Sequence, residues 1–460
     1  MMTEKAVAMI DTVWSSLGGD PARLSALSFV STGVLPSAFY VTELASVTIA
    51  AAGVALHEWI DSHAVDAGRV VVDRRLASMW FHASIRPQGW VPPTPWDAFA
   101  GDYLAQDGWI RLHTNAPLHR AAALRVLDDS VDKQAMASAV SQWSAWKLEQ
   151  AVVDAGGCAA RMRGAAEWND HPQGRAVNAE PLVHREAGTT TTRALPSFNP
   201  ARPLGGIRVL DLTRVLAGPV ATRFLAGWGA EVLRIDPPDW DEPALIPELT
   251  PGKRCARLDL RMADDRAIFE SLLATSDVLV HGYRTGALDR LGYDAQTRQR
   301  LCPGLVDIGL NAYGATGPWA GRRGFDSLVQ MSVGIAQAGM AWRGVEQPVP
   351  LPVQALDHGT GYLMAAAAIR GLVHRRRHGA GSVARLSLAR TAKLLSDLGL
   401  QQDRSALAEE TELDRAPGIE ATAWGAAQRL KSPITIRGHG LHFSTPACAL
   451  GSSAPAWQAP

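Results

Sequence analysis

The spacing of hydrophobic positions changes near residue 200 of this chain. Beyond that point, short apolar runs alternate with segments in which apolar residues recur at helical spacing. The alternation predicts strands at 207–212, 231–236, 277–280 and 305–310, and helices at 218–230, 266–275 and 287–291. Strands that alternate with helices imply a parallel sheet covered on both faces, so we expect an α/β fold.

The first 185 residues have a mainly helical pattern. Helices are predicted at 117–127 and 133–155, and a strand is predicted at 109–112. The prolines between residues 80 and 96 predict an extended loop. Residues 186–205 combine threonines, prolines and glycines without a hydrophobic period, which predicts an exposed linker.

Composition limits the classes of function. The 460 residues are 47% hydrophobic and 20% charged, as in a globular protein of two or three domains. Lys plus Arg and Asp plus Glu each total 45, so no general electrostatic field attracts nucleic acid or an anionic membrane, and neither is an expected partner. The basic run Arg375–Arg377 stands at a predicted helix end, where contact with the helix dipole is favoured over a ligand role.

The cysteines and the amino-terminal residues indicate which kinds of site and which cellular compartment to expect. Neither a metal site nor a disulfide framework is predicted, because the cysteines lie far apart without ligand spacing: Cys158, Cys255, Cys302 and Cys448. The first 14 residues include three charged side chains and no apolar signal core, and residues 44–56 are too few to span a bilayer. We therefore expect a cytoplasmic protein.

The strand–helix–strand unit that ends at Asp236 raises the question of a nicotinamide-dinucleotide site. The turn between its first strand and its helix, residues 213–219, contains no Gly-x-Gly-x-x-Gly. Without those glycines the backbone cannot approach a pyrophosphate closely, so a dehydrogenase is not expected.

Asp357 is the leading candidate for chemistry. It lies just ahead of an alanine-rich helix predicted at 363–378, where a carboxylate is an expected N-cap. A second interpretation is compatible with the first, because a helix N-terminus favours an ionised carboxylate, which can attack an acyl carbon without a base. Gly359 and Gly361 would then permit close approach of backbone to a substrate.

An internal repeat is a further hypothesis. Residues 35–73 align with residues 351–388, and each segment contains a loop, an acid, an alanine-rich helix, a glycine turn and a β-like run. Alanine-rich helices also resemble one another by composition alone, so coincidence stays open. In the aligned copies Glu43 stands where Asp357 stands, but we do not expect Glu43 to be a second nucleophile.

Ordered blocks of residues from 206 onward resemble a known family. Gly206–Thr213, Ala217–Pro219 and Gly229–Val232 resemble the opening of the class III CoA-transferases, the formyl-CoA and carnitine CoA-transferase family. Later blocks follow in the family's order: 252–254 with 258–260, 277–280 with 283–286, 288–292, 314–318, 323–326 and the Asp357 segment.

The resemblance implies a Rossmann-like large domain that binds CoA, with helices on both faces of its parallel sheet, and a smaller α+β domain. It implies that Asp357 forms covalent acyl and CoA adducts while CoA passes from an acyl-CoA to a carboxylic acid. It implies no permanently bound cofactor, with coenzyme A as part of the substrate, and a homodimer or hetero-oligomer. The implied CoA contacts are Val215, Leu216, Lys253, Arg254, Gly282, Tyr283, Arg284, Arg323, Gly324, Phe325 and Asp326.

The chain departs from the family in several places. Leu216 stands where many members have a polar residue, Pro237 stands where an arginine can contact the nucleotide, and no glycine-rich loop is evident after Leu395. The small domain also precedes the large one. The expected organisation is a truncated first copy at 1–100, the small domain at 101–185, a linker at 186–205, the large domain at 206–395 and a return segment at 396–460. A partner chain could then complete the site.

Two alternatives stay open beside the transferase. Racemases of the same family have a histidine directly before the acid of the Gly-x-Asp block, and Phe325 at that position cannot transfer protons. His358 is favoured as a surface or capping residue. The displaced small domain also allows a non-catalytic CoA-binding or assembly subunit.

Overall fold

The computed structural model describes residues 3–128 and 130–458. In its amino-terminal part, two short parallel strands pack against helices. The elements are α1 (Glu4–Ser16), β1 (Leu27–Val30), α2 (Val41–Asp61), β2 (Val70–Asp73), α3 (Arg74–Trp80) and β3 (Ile85–Pro87). The extended loop predicted at 80–96 thus contains a short strand.

An α+β unit follows, which we call the small domain. Its elements are β4 (Gly101–Ala105), β5 (Gly108–Leu112), α4 (Pro117–Val126), α5 (Lys133–Val140), α6 (Ala145–Asp154), β6 (Ala159–Arg161), α7 (Ala165–Asp170) and α8 (Pro172–Ala179). The single helix predicted at 133–155 is wrong, because the chain breaks at residues 141–144. There the Ser144 hydroxyl accepts the Lys147 N–H and starts a new helix.

The large domain contains a seven-stranded sheet. Its elements are β7 (His184–Thr190), β8 (Arg208–Leu212), α9 (Ala217–Gly227), β9 (Glu231–Asp236), α10 (Ile246–Leu249), β10 (Lys253–Arg257), α11 (Ala263–Ala274), β11 (Val278–His281), α12 (Ala287–Arg290), α13 (Ala295–Leu301), β12 (Val306–Asn311), α14 (Asp326–Ser332), α15 (Ile335–Arg343), α16 (Ala355–His378), β13 (Ala380–Ser387) and α17 (Leu388–Ser396). The order is β10-β9-β8-β11-β12-β13-β7. The first six strands are parallel and have the Rossmann order, and the predicted α/β class is confirmed.

Apolar side chains on the two faces of the sheet form separate cores. One core holds α9 and α16 against Val209, Val280 and Ile308, and the other holds α11 against Leu210 and Leu279. Burial on both faces explains why these strands are nearly continuous apolar runs in the sequence.

The edge of this sheet corrects the predicted linker. β7, which includes the first residues of 186–205, pairs antiparallel with β13, and its side chains are mostly exposed. Polar and charged side chains on an edge strand hinder pairing with another chain, and they also hide the strand from a search for hydrophobic periods.

The carboxyl-terminal segment returns to the amino-terminal part. It contains β14 (Glu420–Thr422), β15 (Gly425–Arg429), β16 (Ile434–Ile436) and β17 (His439–Gly440). β16 pairs antiparallel with β2, and β15 pairs antiparallel with β3. The two ends of the chain therefore form one unit. Within the described ranges no helix combines the length and apolar character that crossing a bilayer requires.

Candidate active site

A cavity of about 640 Å³ opens at the carboxyl ends of the parallel strands. It lies beside the ends of β8 and β11, where the strand order of the sheet reverses. Ligands of open α/β sheets bind in this crevice, because the loops leaving adjacent strands diverge there. The cavity brings together Val215, Gly282, Tyr283, Arg284, Arg323, Gly324, Phe325 and Asp357 from the predicted set.

Asp357 is the third residue of α16, which begins eight residues earlier than predicted. The helix follows a tight turn at Gln354, with φ −74° and ψ 64°, and the Ala355 N–H donates to the Val353 carbonyl at 2.7 Å. Asp357 is therefore not an N-cap, and its side chain is free for another use.

A second carboxyl lies next to Asp357. The main-chain N–H of Asp357 donates to the Asp326 carboxylate at 2.9 Å, and the Gln330 amide donates to the other Asp326 oxygen. Burial raises the pKa of Asp357 well above its ordinary value, and the neighbouring charge of Asp326 raises it further. The ionised carboxylate expected from the helix N-terminus is thus disfavoured in the free protein.

Asp326 is itself fully buried. Burial raises its pKa to about 6, although the hydrogen bonds from Asp357 and Gln330 act in the opposite direction. Two buried carboxyls so close together cannot both ionise easily. Their protonation states are therefore linked.

Val215 holds a strained turn at the cavity wall. Its φ of +64° lies in the left-handed region, which a β-branched residue rarely adopts. Its N–H donates to the Glu242 carboxylate at 2.8 Å, and Arg234 pairs with the same carboxylate. The next residue, Leu216, faces the core instead of the cavity.

Arg214 and Trp240 line the cavity although neither is among the predicted site residues. The Arg214 guanidinium lies 4.7 Å from the Trp240 ring and 5.4 Å from the Tyr283 ring, so two aromatic faces hold one cation. Arg214 lies two residues after the end of β8. This position directly after a predicted strand is a signal from which a site residue could have been predicted. Trp240 lies in an irregular loop, and the sequence gives no signal for it.

The small domain forms one wall of the cavity. Residues 116–119, at the start of α4, line it beside Phe325. The His113 ring stacks on Phe325 with centroids 3.8 Å apart, and His119 meets the same ring edge-on at 5.8 Å. Burial, together with the nearby charge of Arg323, lowers the pKa of His119 to about 4. A segment that precedes the large sheet in the sequence thus contributes a wall of the cavity within this same chain.

Lys253 and Arg254 do not reach the cavity. Lys253 is buried in the core, where its ammonium contacts Asp211 at 3.2 Å and Thr222 at 2.6 Å. Arg254 donates to the Ala456 carbonyl at 2.6 Å and lines a different groove, at the amino ends of the strands. Successive residues of a strand point to opposite faces, and neither face of β10 opens on the site.

The structure changes the expected roles of Gly359, Gly361 and His358. Gly361 permits close packing of α16 on α9, because a Cβ there would lie 2.4 Å from the Ala217 carbonyl oxygen. A Cβ on Gly359 would meet Leu44 of α2 at 3.3 Å, so this glycine also serves helix packing. His358 is buried against Phe81, and burial lowers its pKa to about 3.

Comparison with known proteins gives the following matches. Residues 204–428 match the family described as CoA-transferase family III. A probable fatty acyl-CoA transferase of Mycobacterium tuberculosis is 30% identical over 208 residues, which are 42% of this chain and 52% of that protein. The succinyl-CoA:glutarate CoA-transferase of Mus musculus is 32% identical over 209 residues, which are 42% of this chain and 47% of that protein.

Among solved structures, a crystal structure of the mycobacterial protein matches with 32% identity and a TM-score of 0.39, covering 42% of this chain and 56% of that chain. The chain spans about half the length of the curated relatives it matches. The matched segment 204–428 includes Asp357 but not the cavity wall at 116–119.

Proposed function

We propose that this protein, whose residues 204–428 match CoA-transferase family III, moves CoA from an acyl-CoA to a carboxylic acid through a covalent adduct on Asp357. One observation supports this most strongly. The cavity at the reversal of strand order contains one buried carboxyl together with Arg214, Arg284 and Arg323. A site that reacts with a CoA thioester needs a nucleophile for the acyl carbon and cations for the phosphates of CoA.

In the proposed reaction, an ionised oxygen of Asp357 attacks the thioester carbonyl carbon of the donor. The carbon–sulfur bond breaks, leaving an acyl–aspartyl anhydride and CoA thiolate. The thiolate attacks the aspartyl carbonyl of the anhydride, which forms an aspartyl–CoA thioester and releases the donor acid. An acceptor carboxylate then takes the CoA by the same two steps in reverse order, and free Asp357 is restored.

We also propose roles for residues near Asp357. The three arginines hold the phosphates of CoA, and the flat rings of Tyr283 and Trp240 offer a surface to its adenine. Asp326 positions the start of α16 through the Asp357 N–H. The proton of Asp357 must leave before attack, so the reactive fraction increases with pH.

The acyl group is to be found by experiment. Matched relatives are named for fatty acyl groups and for succinate and glutarate. The wall contributed by Ala116, Pro117 and Leu118 is apolar. A donor panel should therefore include long-chain acyl-CoA and succinyl-CoA, with fatty acids and glutarate as acceptors.

The test combines exchange with trapping. The purified protein is incubated with the panel, treated with hydroxylamine and analysed by mass spectrometry. We expect exchange and a hydroxamate at Asp357, both absent in Asp357→Asn and unchanged in Asp11→Asn, which alters an exposed acid. CoA binding without exchange or adduct would overturn the proposal in favour of a binding subunit.

The racemase alternative has one observation in its favour, because His119 brings an imidazole to the cavity wall. Release of the α-proton of a 2-methylacyl-CoA in deuterated solvent, without CoA exchange, would support it.

A cytoplasmic location and a homodimer or hetero-oligomer stay parts of the proposal. Fractionation and mass measurement of the native protein test them.

A further inference from the structure

The helices α2 and α16 begin in the same unusual way. The residue before α2, Tyr40, has φ −73° and ψ 60°, and Gln354 before α16 has φ −74° and ψ 64°. In both, the first helical N–H donates to the carbonyl two residues earlier, Val41 to Phe39 at 2.8 Å and Ala355 to Val353 at 2.7 Å. Each helix thus starts from an inverse γ-turn, and its third residue is an acid, Glu43 or Asp357.

The likeness continues beyond the helices. Asp73 lies thirty positions after Glu43, and Ser387 lies thirty positions after Asp357. Asp73 caps α3 directly after β2, and Ser387 caps α17 directly after β13. We call residues 39–80 the first unit and residues 353–396 the second unit.

The strands of the two units also have matching neighbours. β2 pairs parallel with β1 and antiparallel with β16, while β13 pairs parallel with β12 and antiparallel with β7. Composition alone would not reproduce these pairings. The structure therefore supports a true repeat.

The two units pack against each other. Residues 41–60 of α2 are buried, and so is most of α16. Leu44 of α2 lies over Gly359 of α16. A helix that is apolar all round needs cover on every side, and each unit supplies cover for the other.

The two acids differ in what surrounds them. A guanidinium nitrogen of Arg74, the first residue of α3, lies 2.6 Å from the Glu43 carboxylate, and both side chains are buried. Burial raises the pKa of Glu43, and Arg74 opposes that rise. The matching first residue of α17 is Leu388, which lines the cavity beside Asp357. The first residue of the helix that follows the strand therefore differs between the units. It is an arginine that pairs with Glu43 in one and a leucine that lines the cavity beside Asp357 in the other.

We propose that the first unit is a silenced copy of the second, in which Arg74 withdraws Glu43 from chemistry, and that Leu388 keeps Asp357 open to substrate. The inference rests on the proposed function, since it makes Asp357 the single reacting carboxyl of the pair. It assigns Leu388, which touches the cavity, as a residue on which turnover depends. It gives the first unit the role of an internal partner that covers α16.

Carboxyl labelling tests the inference without acyl transfer. A water-soluble carbodiimide with glycine ethyl ester converts accessible carboxyls to amides, and mass spectrometry locates them. In the unmodified protein we expect label on Asp357 and not on Glu43. Label on both acids to a similar extent would overturn the inference, and this comparison requires no variant to fold.

Leu388→Arg tests the deciding position directly. Placing the guanidinium found in the first unit beside Asp357 should lower exchange by about 100-fold or more, the effect expected when a reacting group is displaced. It should also protect Asp357 from labelling. Leu388→Met, which keeps an apolar side chain, is the matched conservative variant and should retain much more exchange than Leu388→Arg. Thermal unfolding of both variants verifies that they fold.

The outcomes separate the two proposals. A folded Leu388→Arg protein with undiminished exchange overturns the inference and leaves the transferase intact. An unmodified protein that transfers CoA to no acid, while Asp357 alone is labelled, overturns the transferase.

Discussion

At the residue scale, the chemistry depends on the proton of Asp357. Asp357 is 7% exposed and adjoins a second buried carboxyl, that of Asp326. A nucleophile in this setting is reactive only after deprotonation, which substrate binding or higher pH must favour.

The pH dependence of exchange follows from this setting. We expect the rate to rise with pH along a limb whose apparent pKa lies above the ordinary carboxyl range, because burial and Asp326 both favour the protonated form of Asp357. Asp326→Asn removes the neighbouring charge and should move that limb to lower pH. Steady-state rates across pH measure both. An unchanged limb in the variant would show that Asp326 does not control the proton.

Asp357→Asn should lower the rate of exchange by about 10³-fold or more. It should also stabilise the protein. The unfolded state loses this proton near pH 4 whereas the folded state keeps it to higher pH, so stability falls as pH rises through that window. The gain in Tm should therefore be absent at pH 4 and grow toward pH 8. Asp11→Asn is the control, and a Tm gain independent of pH would contradict the explanation.

At the element scale, a buried ion network docks the small domain on the cavity. Glu149 of α6 accepts from Arg163 and, at 2.9 Å, from Arg322, which lies in the loop before Arg323. Burial by itself raises the pKa of Glu149, but the two guanidinium groups outweigh burial and hold the pKa below its ordinary value. The network's contribution to stability is thus present above about pH 4.5 and lost as pH falls.

Glu149→Gln should destabilise the protein by about 3–5 kcal/mol, because it leaves two arginines without a counter-charge. It should also raise KM for acyl-CoA, since Arg322 and Arg323 share one loop. Denaturant unfolding and steady-state kinetics provide the two measurements. Glu167→Gln, which alters an exposed pair on the same domain, is the control. A stable variant with raised KM would indicate that the network serves positioning alone.

Helix packing permits a second prediction at this scale. A methyl group at Gly361 would lie 2.4 Å from the Ala217 carbonyl oxygen, so Gly361→Ala must push α16 away from α9. Overpacking of this kind costs about 1–3 kcal/mol. Thermal unfolding should show a lower Tm in Gly361→Ala than in Ala365→Gly, which removes a methyl group from the same helix. A Tm equal to that of the unmodified protein would show that the helices can separate without cost.

At the scale of the whole molecule, the two ends of the chain are interleaved. Arg75 of α3 pairs with Asp414, and the buried Glu248 joins Arg223 to Arg429. Burial alone would raise the pKa of Glu248, but the two arginines lower it to about 2. The carboxyl-terminal segment is therefore part of the fold and not an appendage.

Truncation after Leu400 should accordingly unfold more than the removed segment. It leaves β2 without its antiparallel neighbour and Glu248 without Arg429. We expect little soluble protein, or a Tm lowered by at least about 10 °C given the several kcal/mol involved. Soluble yield and circular dichroism measure this. A truncated chain that unfolds at the original temperature would contradict the interleaved arrangement.

Local patterns predicted four strands at the centre of the large sheet. The strands β8, β9, β11 and β12 were located within one or two residues, because burial on both faces makes them apolar runs. The start of α16 was missed, because an inverse γ-turn needs no particular residue type. β7 was missed because an exposed edge strand has polar side chains.

The sequence by itself determined the α/β class, the family resemblance and Asp357 as the residue to examine, since these depend on local periods and ordered motifs. Only the tertiary structure decided which charges surround the site. It buried Lys253, brought Arg214 and His119 to the cavity, and paired Glu43 with Arg74 while leaving Asp357 beside Leu388. The physical reason is that pKa and access depend on side chains that meet in space, and these lie up to several hundred residues apart along the chain.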